Sequence, residues 1–443
     1  MYIRKYLYQG MLFMASVFLF GQIAQAVEIK LSGELRPRFE YANNALSSGT
    51  KSPLKSDTRT FTTTRTRIGV KAIVDSETSG FIQIQDVRTW GGATPTGAPP
   101  SITQTGTSVS ASGLDIHQAY IDLKNILDTG LALKIGRQEL VFDEHRLIGN
   151  IGWIQQGQTF DAVRGYYGLT DALSVTAFSA KTVAFVTHPT LSATIPANLA
   201  GGQGFESSFS GVRLNYSLGG KDRITPYFYH ALNASRTGKN GAALTPDVAQ
   251  RLDYVGAYVL KHIDRFRIRL DGAYQFGNIN ATVDTQAYML TANISTNVAI
   301  AKGANIMLWF DYLSGDDGSD LTSNKTFITP YATNHAYYGF MDNFLNIPSQ
   351  GLMDAAVKVW IKPTKKLKIK VDGHWFRSTE STTAISSKDL GKEIDVTGIY
   401  PLAKNTKLVL GYSHYFAGDV LAQKSGHNLQ DGNWAYAMMD FKF

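Results

Sequence analysis

Between Gly136 and Tyr167 the sequence reads GRQELVFDEHRLIGNIGWIQQGQTFDAVRGYY, which gathers Arg137, Asp143, Glu144, His145, Arg146, Asp161 and Arg164 in one glycine-punctuated stretch. Carboxylates and an imidazole this close supply the acid and base of a polysaccharide lyase or a glycosidase. No spacing selects such a reaction, and a histidine in a polar loop is more often solvated than catalytic. A serine with His262 or His414 would hold the ingredients of a lipase, again without a diagnostic arrangement. There is no cysteine and no histidine cluster to bind a transition metal. The acids of DYLSGDDGSDLTSN are spaced somewhat like a calcium loop, but the glutamate at its twelfth position is missing. The expectation is a protein with no catalytic residue, cofactor or nucleic-acid partner.

A second pattern is more informative. Arg36, Arg38, Arg65, Arg67, Arg213, Arg267 and Arg269 recur at period two against apolar neighbours, joined by Lys30, Lys71, Lys358, Lys368 and Lys370. A planar guanidinium grips a carboxylate through two parallel hydrogen bonds, so a row of them suits an anionic solute. Glu34, Glu40, Asp253, Asp271, Asp354, Asp372, Glu393 and Asp395 share that face. They keep the grip weak, as conduction through successive sites requires. Tyr120, Trp309 and Trp360 have the same parity and could stack on sugar faces.

The elements that carry these residues are strands. In EIKLSGELRPRFEY, Ile29, Leu31, Gly33, Leu35, Phe39 and Tyr41 take one face, and Lys30, Ser32, Glu34, Arg36, Arg38 and Glu40 the other. FRIRLDGAYQF and KLKIKVDGHWF split in the same way. Odd-to-even connections are long: Ala42 to Arg59, Thr89 to Gly113, Glu139 to Thr159, Lys181 to Ser208, Asn233 to Gln250 and Ser314 to Gly351. Even-to-odd ones are short, among them VDSETSG, KNILDTG, YGLTD, LGGKDR, KHIDR, KPTKK and PLAKN. That asymmetry predicts an all-β, transmembrane antiparallel β-barrel of about 18 strands, with short periplasmic turns and long extracellular loops. A strand protein spans a bilayer only when its sheet closes, and about 18 strands enclose more space than side chains fill. The expected product is a channel in the lipid bilayer of the bacterial outer membrane, with the long loops 89–113 and 314–351 as candidate lids.

Both termini agree. Arg4 and Lys5, the apolar MLFMASVFLF and the ending Ala24-Gln25-Ala26 predict a signal peptide over 1–26, leaving a barrel over 27–443. The last stretch, WAYAMMDFKF, alternates and stops on Phe443, as expected of a strand recognised by the outer-membrane assembly machinery.

Across about residues 118 to 418 the ordered set QAYIDL, IGRQEL with RLIG and W, FDAVRGYY, DYLSGDDGSD, HAYYGFMDNF, GLMDAAVKVWIKP, GKEIDVTGIYPL and LGYSHYFAG resembles the alginate-export family of outer-membrane barrels. The resemblance implies an 18-stranded monomer whose electropositive pore exports an anionic, alginate-like polysaccharide. It also implies lumenal positions for Arg137 and Arg164. Arg137 has the parity of Leu133 and Ile135, read as outward, so a bulge or the strand end must turn it in. A general anion-preferring porin for small nutrients, often a trimer, is the alternative that residues alone leave open.

Overall fold

In the computed structural model the described residues are 27–44, 58–90, 113–184, 206–233, 250–280, 282–299, 303–420 and 431–443. They form a closed antiparallel barrel of 18 long strands. Each strand pairs with its neighbours in sequence, and the first, Glu28–Asn43, closes on the last, Gly432–Lys442. Two further residues, Ser323–Asn324, run parallel to the end of strand Val283–Val298.

Alternation is inside-out relative to a soluble protein. Leu31, Leu35 and Phe39 of the first strand are exposed, whereas Arg36 and Arg38, and Glu40 after Phe39, are buried. The exposed set continues round the wall, for example Leu290, Tyr288, Trp375 and Leu410, and presents the apolar belt that a bilayer requires. At the seam the Gly33 amide donates to the Phe443 carbonyl at 2.9 Å, and the Phe443 amide donates back at 3.1 Å. The ring of Phe443 occupies the place of the missing Gly33 side chain, since a Cβ there would lie 2.2 Å from it.

The short and long connections alternate as the sequence predicts, with one difference. The outward connection from Asn280 to Val283 is a tight turn closed by the Thr282 amide on Asn280 Oδ1 at 2.9 Å. Five residues separate strand Val283–Val298 from strand Ala304–Leu313, and 300–302 of them lie outside the described residues.

The hydrophobic core sits within the barrel. Leu140, Phe142, Leu147 and Ile148 of the segment 139–159 pack with Phe327, Tyr337, Tyr338 and Phe344 of the segment 314–351, and with wall rings such as Phe160, Phe178, Phe209 and Tyr229. Both segments fold inward, because their apolar residues find partners only there. Most of the long connection after Thr89 lies outside the described residues, so the lid expected over 89–113 is not described.

Candidate functional site

The charged residues of the segment 139–159 are its anchors. Asp143 pairs with Arg213, whose guanidinium lies 4.4 Å over the Phe142 ring. Glu144 accepts from Arg269, from Arg267 at 3.4 Å and from Tyr258 at 3.1 Å. Arg146 pairs with Asp311 and sits among the rings of Tyr337 (3.8 Å), Trp309 (4.6 Å) and Tyr338 (5.5 Å). Left-handed backbone at Asp143 (φ 46) and His145 (φ 61) aims successive side chains at different strands. Burial pushes the Asp143 carboxyl up from its usual range, and Arg213 and Arg223 pull it back.

The far end of the segment is held by the first two strands. Arg36 donates to Gln155 Oε1 (3.0 Å) and to the carbonyls of Gly152 (2.8 Å), Trp153 (3.0 Å) and Ile154 (3.0 Å). Arg38 donates to Glu40 (2.7 Å) and the Trp153 carbonyl (2.8 Å), and lies 4.2 Å over the Trp153 ring. Arg65 bonds Glu34 at 2.6 Å and reaches the carbonyls of Gly152, Ile154 and Gln155 at 3.3–3.4 Å. Arg67 donates to Gln85 (2.6 Å) and the Gln156 carbonyl (3.2 Å). Buried carbonyls need donors, and these four arginines supply them. No sequence pattern announces this use, because the acceptors are backbone atoms 87 to 118 residues away.

At the mouth of the segment, burial alone would raise the Glu139 carboxyl. Hydrogen bonds from His117 (3.0 Å) and Asn150 (2.8 Å), with the charge of Arg67, outweigh it and hold the group below its ordinary 4.5.

A cavity of about 620 Å³ remains beside the segment, lined by Glu144, Arg269, Lys358, Lys368, Lys370 and Asp372 among its charged groups. Trp153, His335, Tyr337, Phe340, Trp360 and Tyr436 supply rings. Lys358 lies 3.6 Å from Asp372 and 5.0 Å from the Trp309 ring, and Lys368 lies 5.1 Å from the Trp360 ring. The two infolded segments thus share the cavity: Glu144 and Trp153 come from one, His335 and Tyr337 from the other. Trp153 stacks on His335 at 4.4 Å and meets Tyr436 edge-on at 4.9 Å.

Arg164 alternates with exposed Val163 and faces inward, opposite Lys134 in register. Arg137 does not. It donates bidentately to Asp161, at 2.8 and 3.0 Å, on the face shared with exposed Ile121, Ile135 and Val163. Neither ladder shifts register between Leu133 and Arg137, so the parity read from the sequence holds and the lumenal position implied for Arg137 is corrected.

Asp316, Asp317 and Asp320 bond their own loop: the amides of Gly318 (2.7 Å), Ser319 (3.0 Å) and Thr322 (2.9 Å) donate to them. Among the described residues, no group of three or more His, Asp and Glu is placed to hold a metal ion.

Among solved structures, the chain is similar to OccK11 (OpdR) of Pseudomonas aeruginosa, with 12% identity, TM-score 0.54, and 94% of this chain and 96% of that one covered. P. aeruginosa OccK2 (OpdF) in complex with glucuronate shares 11% identity at TM-score 0.57, over 94% and 96% of the two chains. Acinetobacter baumannii OccAB4 shares 12% at 0.54, over 94% and 98%. At these identities the likeness is one of fold. No curated protein of similar sequence was found. The alginate export family model matches residues 27–434, nearly the whole chain. With its closed barrel and apolar belt, the chain is therefore an outer-membrane channel protein belonging to the alginate export family.

Proposed function

We propose that the channel prefers anions and passes carboxylate-bearing saccharides of the alginate type. The observation that supports this most directly is the cavity wall, where Arg269, Lys358, Lys368 and Lys370 face two acids, Glu144 and Asp372. One sign of charge in a low-dielectric wall raises the local concentration of its counter-ion. Rings such as Trp360 add surface on which a pyranose can stack. The arginines of the first two strands enter this reading as supports of the constriction, because their donors are taken by the segment 139–159. The sheet closes within one chain, so each chain encloses its own pore, and the amphipathic last strand suits recognition by the assembly machinery.

A second reading, a porin for small anionic nutrients, is favoured by the firm anchoring of that segment, which narrows the passage. Chain length separates the two. In planar bilayers the reversal potential should report chloride preference over potassium, most strongly at low salt, and oligouronates should block in proportion to their length. The Arg267→Gln, Arg269→Gln, Lys368→Gln, Lys370→Gln variant should shift toward potassium and lose the block. Retention of both properties would refute the proposal; block by monouronate alone would favour the nutrient porin.

A further inference from the structure

A second cavity, of about 320 Å³, lies toward the long-loop end of the barrel and shares no lining residue with the charged one. One wall is made by the long-loop ends of four adjacent strands, through Thr182, Ser207, Asn233 and Gln250. The other is the infolded segment 314–351, whose stretch TFITPYATN, residues 326–334, carries no charge. Among the described residues that line this cavity none is charged, whereas the larger cavity has Arg269 and three lysines facing two acids.

The lining is fixed in advance by its own hydrogen bonds. The Ile328 carbonyl accepts from Tyr254 (3.0 Å) and Gln275 (3.2 Å), and the Ile328 amide donates back to Gln275 Oε1 at 3.0 Å. Asn334 donates to Thr329 Oγ1 (3.0 Å) and to the Leu345 carbonyl (2.7 Å), which fastens two parts of the infolded segment together. Polar groups are nevertheless left over. Asn334 is buried and its Oδ1 receives no donor, a costly state for a buried acceptor. At the rim, the side-chain amides of half-buried Gln250 and exposed Asn346 bond no other described residue.

We propose that this cavity binds one uncharged, hydroxyl-rich sugar ring arriving from the long-loop side. A carboxamide offers an acceptor and two donors, which matches vicinal hydroxyls that both give and accept. Phe327 and Tyr331 add apolar surface for the C–H face of the ring. The volume is at the low end of small-ligand sites, about 300–1,000 Å³, and suits one ring rather than a chain. A carboxylate is disfavoured, because no described cation of the lining compensates its lost hydration. The site goes beyond the anion passage and does not depend on that reading.

The test titrates the full-length folded barrel, in a detergent without a sugar headgroup, with glucose and with glucuronate, which differ only at C6. Saturation-transfer NMR reads the bound ligand. Glucose should bind saturably and equally at low salt and near 1 M, where the screening length falls to about 3 Å, since no charge takes part. At the high salt, with attraction to the charged cavity screened, glucuronate should bind about tenfold more weakly than glucose. Gln250→Leu with Asn346→Leu, both at the rim, should weaken glucose by about tenfold, the worth of two modest hydrogen bonds, with heat-modifiable mobility unchanged. Gln250→Arg should move the preference toward glucuronate. Cellotetraose should saturate at the same concentration as glucose; markedly tighter binding would overturn a one-ring site. No saturable glucose signal from a folded barrel, glucuronate binding as well as glucose at high salt, or a glucose affinity unmoved by the paired rim variant would each overturn the proposal. Chloride preference in bilayers should not respond to the rim pair, so failure of this site and failure of the anion-channel reading are told apart.

Discussion

Replacing Arg36 with methionine should loosen the constriction without opening the barrel. Methionine keeps an unbranched apolar stem but removes every donor. Arg36 contributes four bonds of 2.8–3.0 Å to Gly152, Trp153, Ile154 and Gln155, all from a buried guanidinium. A hydrogen bond from a charged donor contributes about 1.5–3 kcal/mol net, and orphaned buried carbonyls add to the loss. The four do not sum, because Arg38 and Arg65 reach the same carbonyls. A working loss of about 3 kcal/mol, the low end for breaking a buried charged contact, raises the population of released segment about 150-fold at 1.4 kcal/mol per decade. Single-channel recording reads this directly, as excursions to higher conductance that are about a hundredfold more frequent than in the unaltered protein. Heat-modifiable mobility should not change, since the backbone ladder of the first strand is intact. A quiet trace with unaltered conductance, from a normally folded barrel, would refute the assignment of Arg36 as a clamp.

Two further outcomes follow from the same anchors. Asp311→Asn should strand the buried Arg146 and destabilise the infolded core by about 3–5 kcal/mol, seen as a lower temperature of the folded-to-unfolded mobility shift. Adding Arg146→Met should restore much of the loss, and failure to do so would exclude the pair as its source. For Glu139 the folded value lies below the ordinary 4.5, so its contribution is complete above that value and disappears as pH falls through the folded one. Conductance noise should therefore stay low at neutral pH and rise only in acid. Glu139→Gln should be noisy throughout; a quiet, pH-independent Glu139→Gln channel would remove the group from the mechanism.

The wall was legible from sequence because its rule is local. A period of two separates lipid-facing Leu31 and Phe39 from inward Arg36 and Arg38 with no knowledge of their neighbours. The same rule placed Arg137 on the outward face. The partners of the inward charges were not legible. Arg36 meets Gln155 at a separation of 119 residues, and Arg146 meets Asp311 at 165, distances at which no short pattern carries information. The stretch that looked like an acid–base site was charged for a structural reason: each of Asp143, Glu144 and Arg146 needs a partner on the wall. The cavity rings Trp153, His335 and Phe340 were hidden because they belong to connections, whose positions periodicity does not predict.

The seam between the first and last strands has a cost of its own. All other long strands pair with their nearest neighbours in sequence and can zip as hairpins, but this pair must bring together the first and last strands of the barrel. Joining ends some four hundred residues apart costs about 5 kcal/mol in loop-closure entropy if nothing between them has ordered, and far less once the intervening hairpins have curved the sheet round. The seam is thus expected to form last. Until it does, the sheet has two open edges that can template on each other or on another chain. The ring of Phe443, lying where Gly33 leaves room for it, is the contact that ends that exposure.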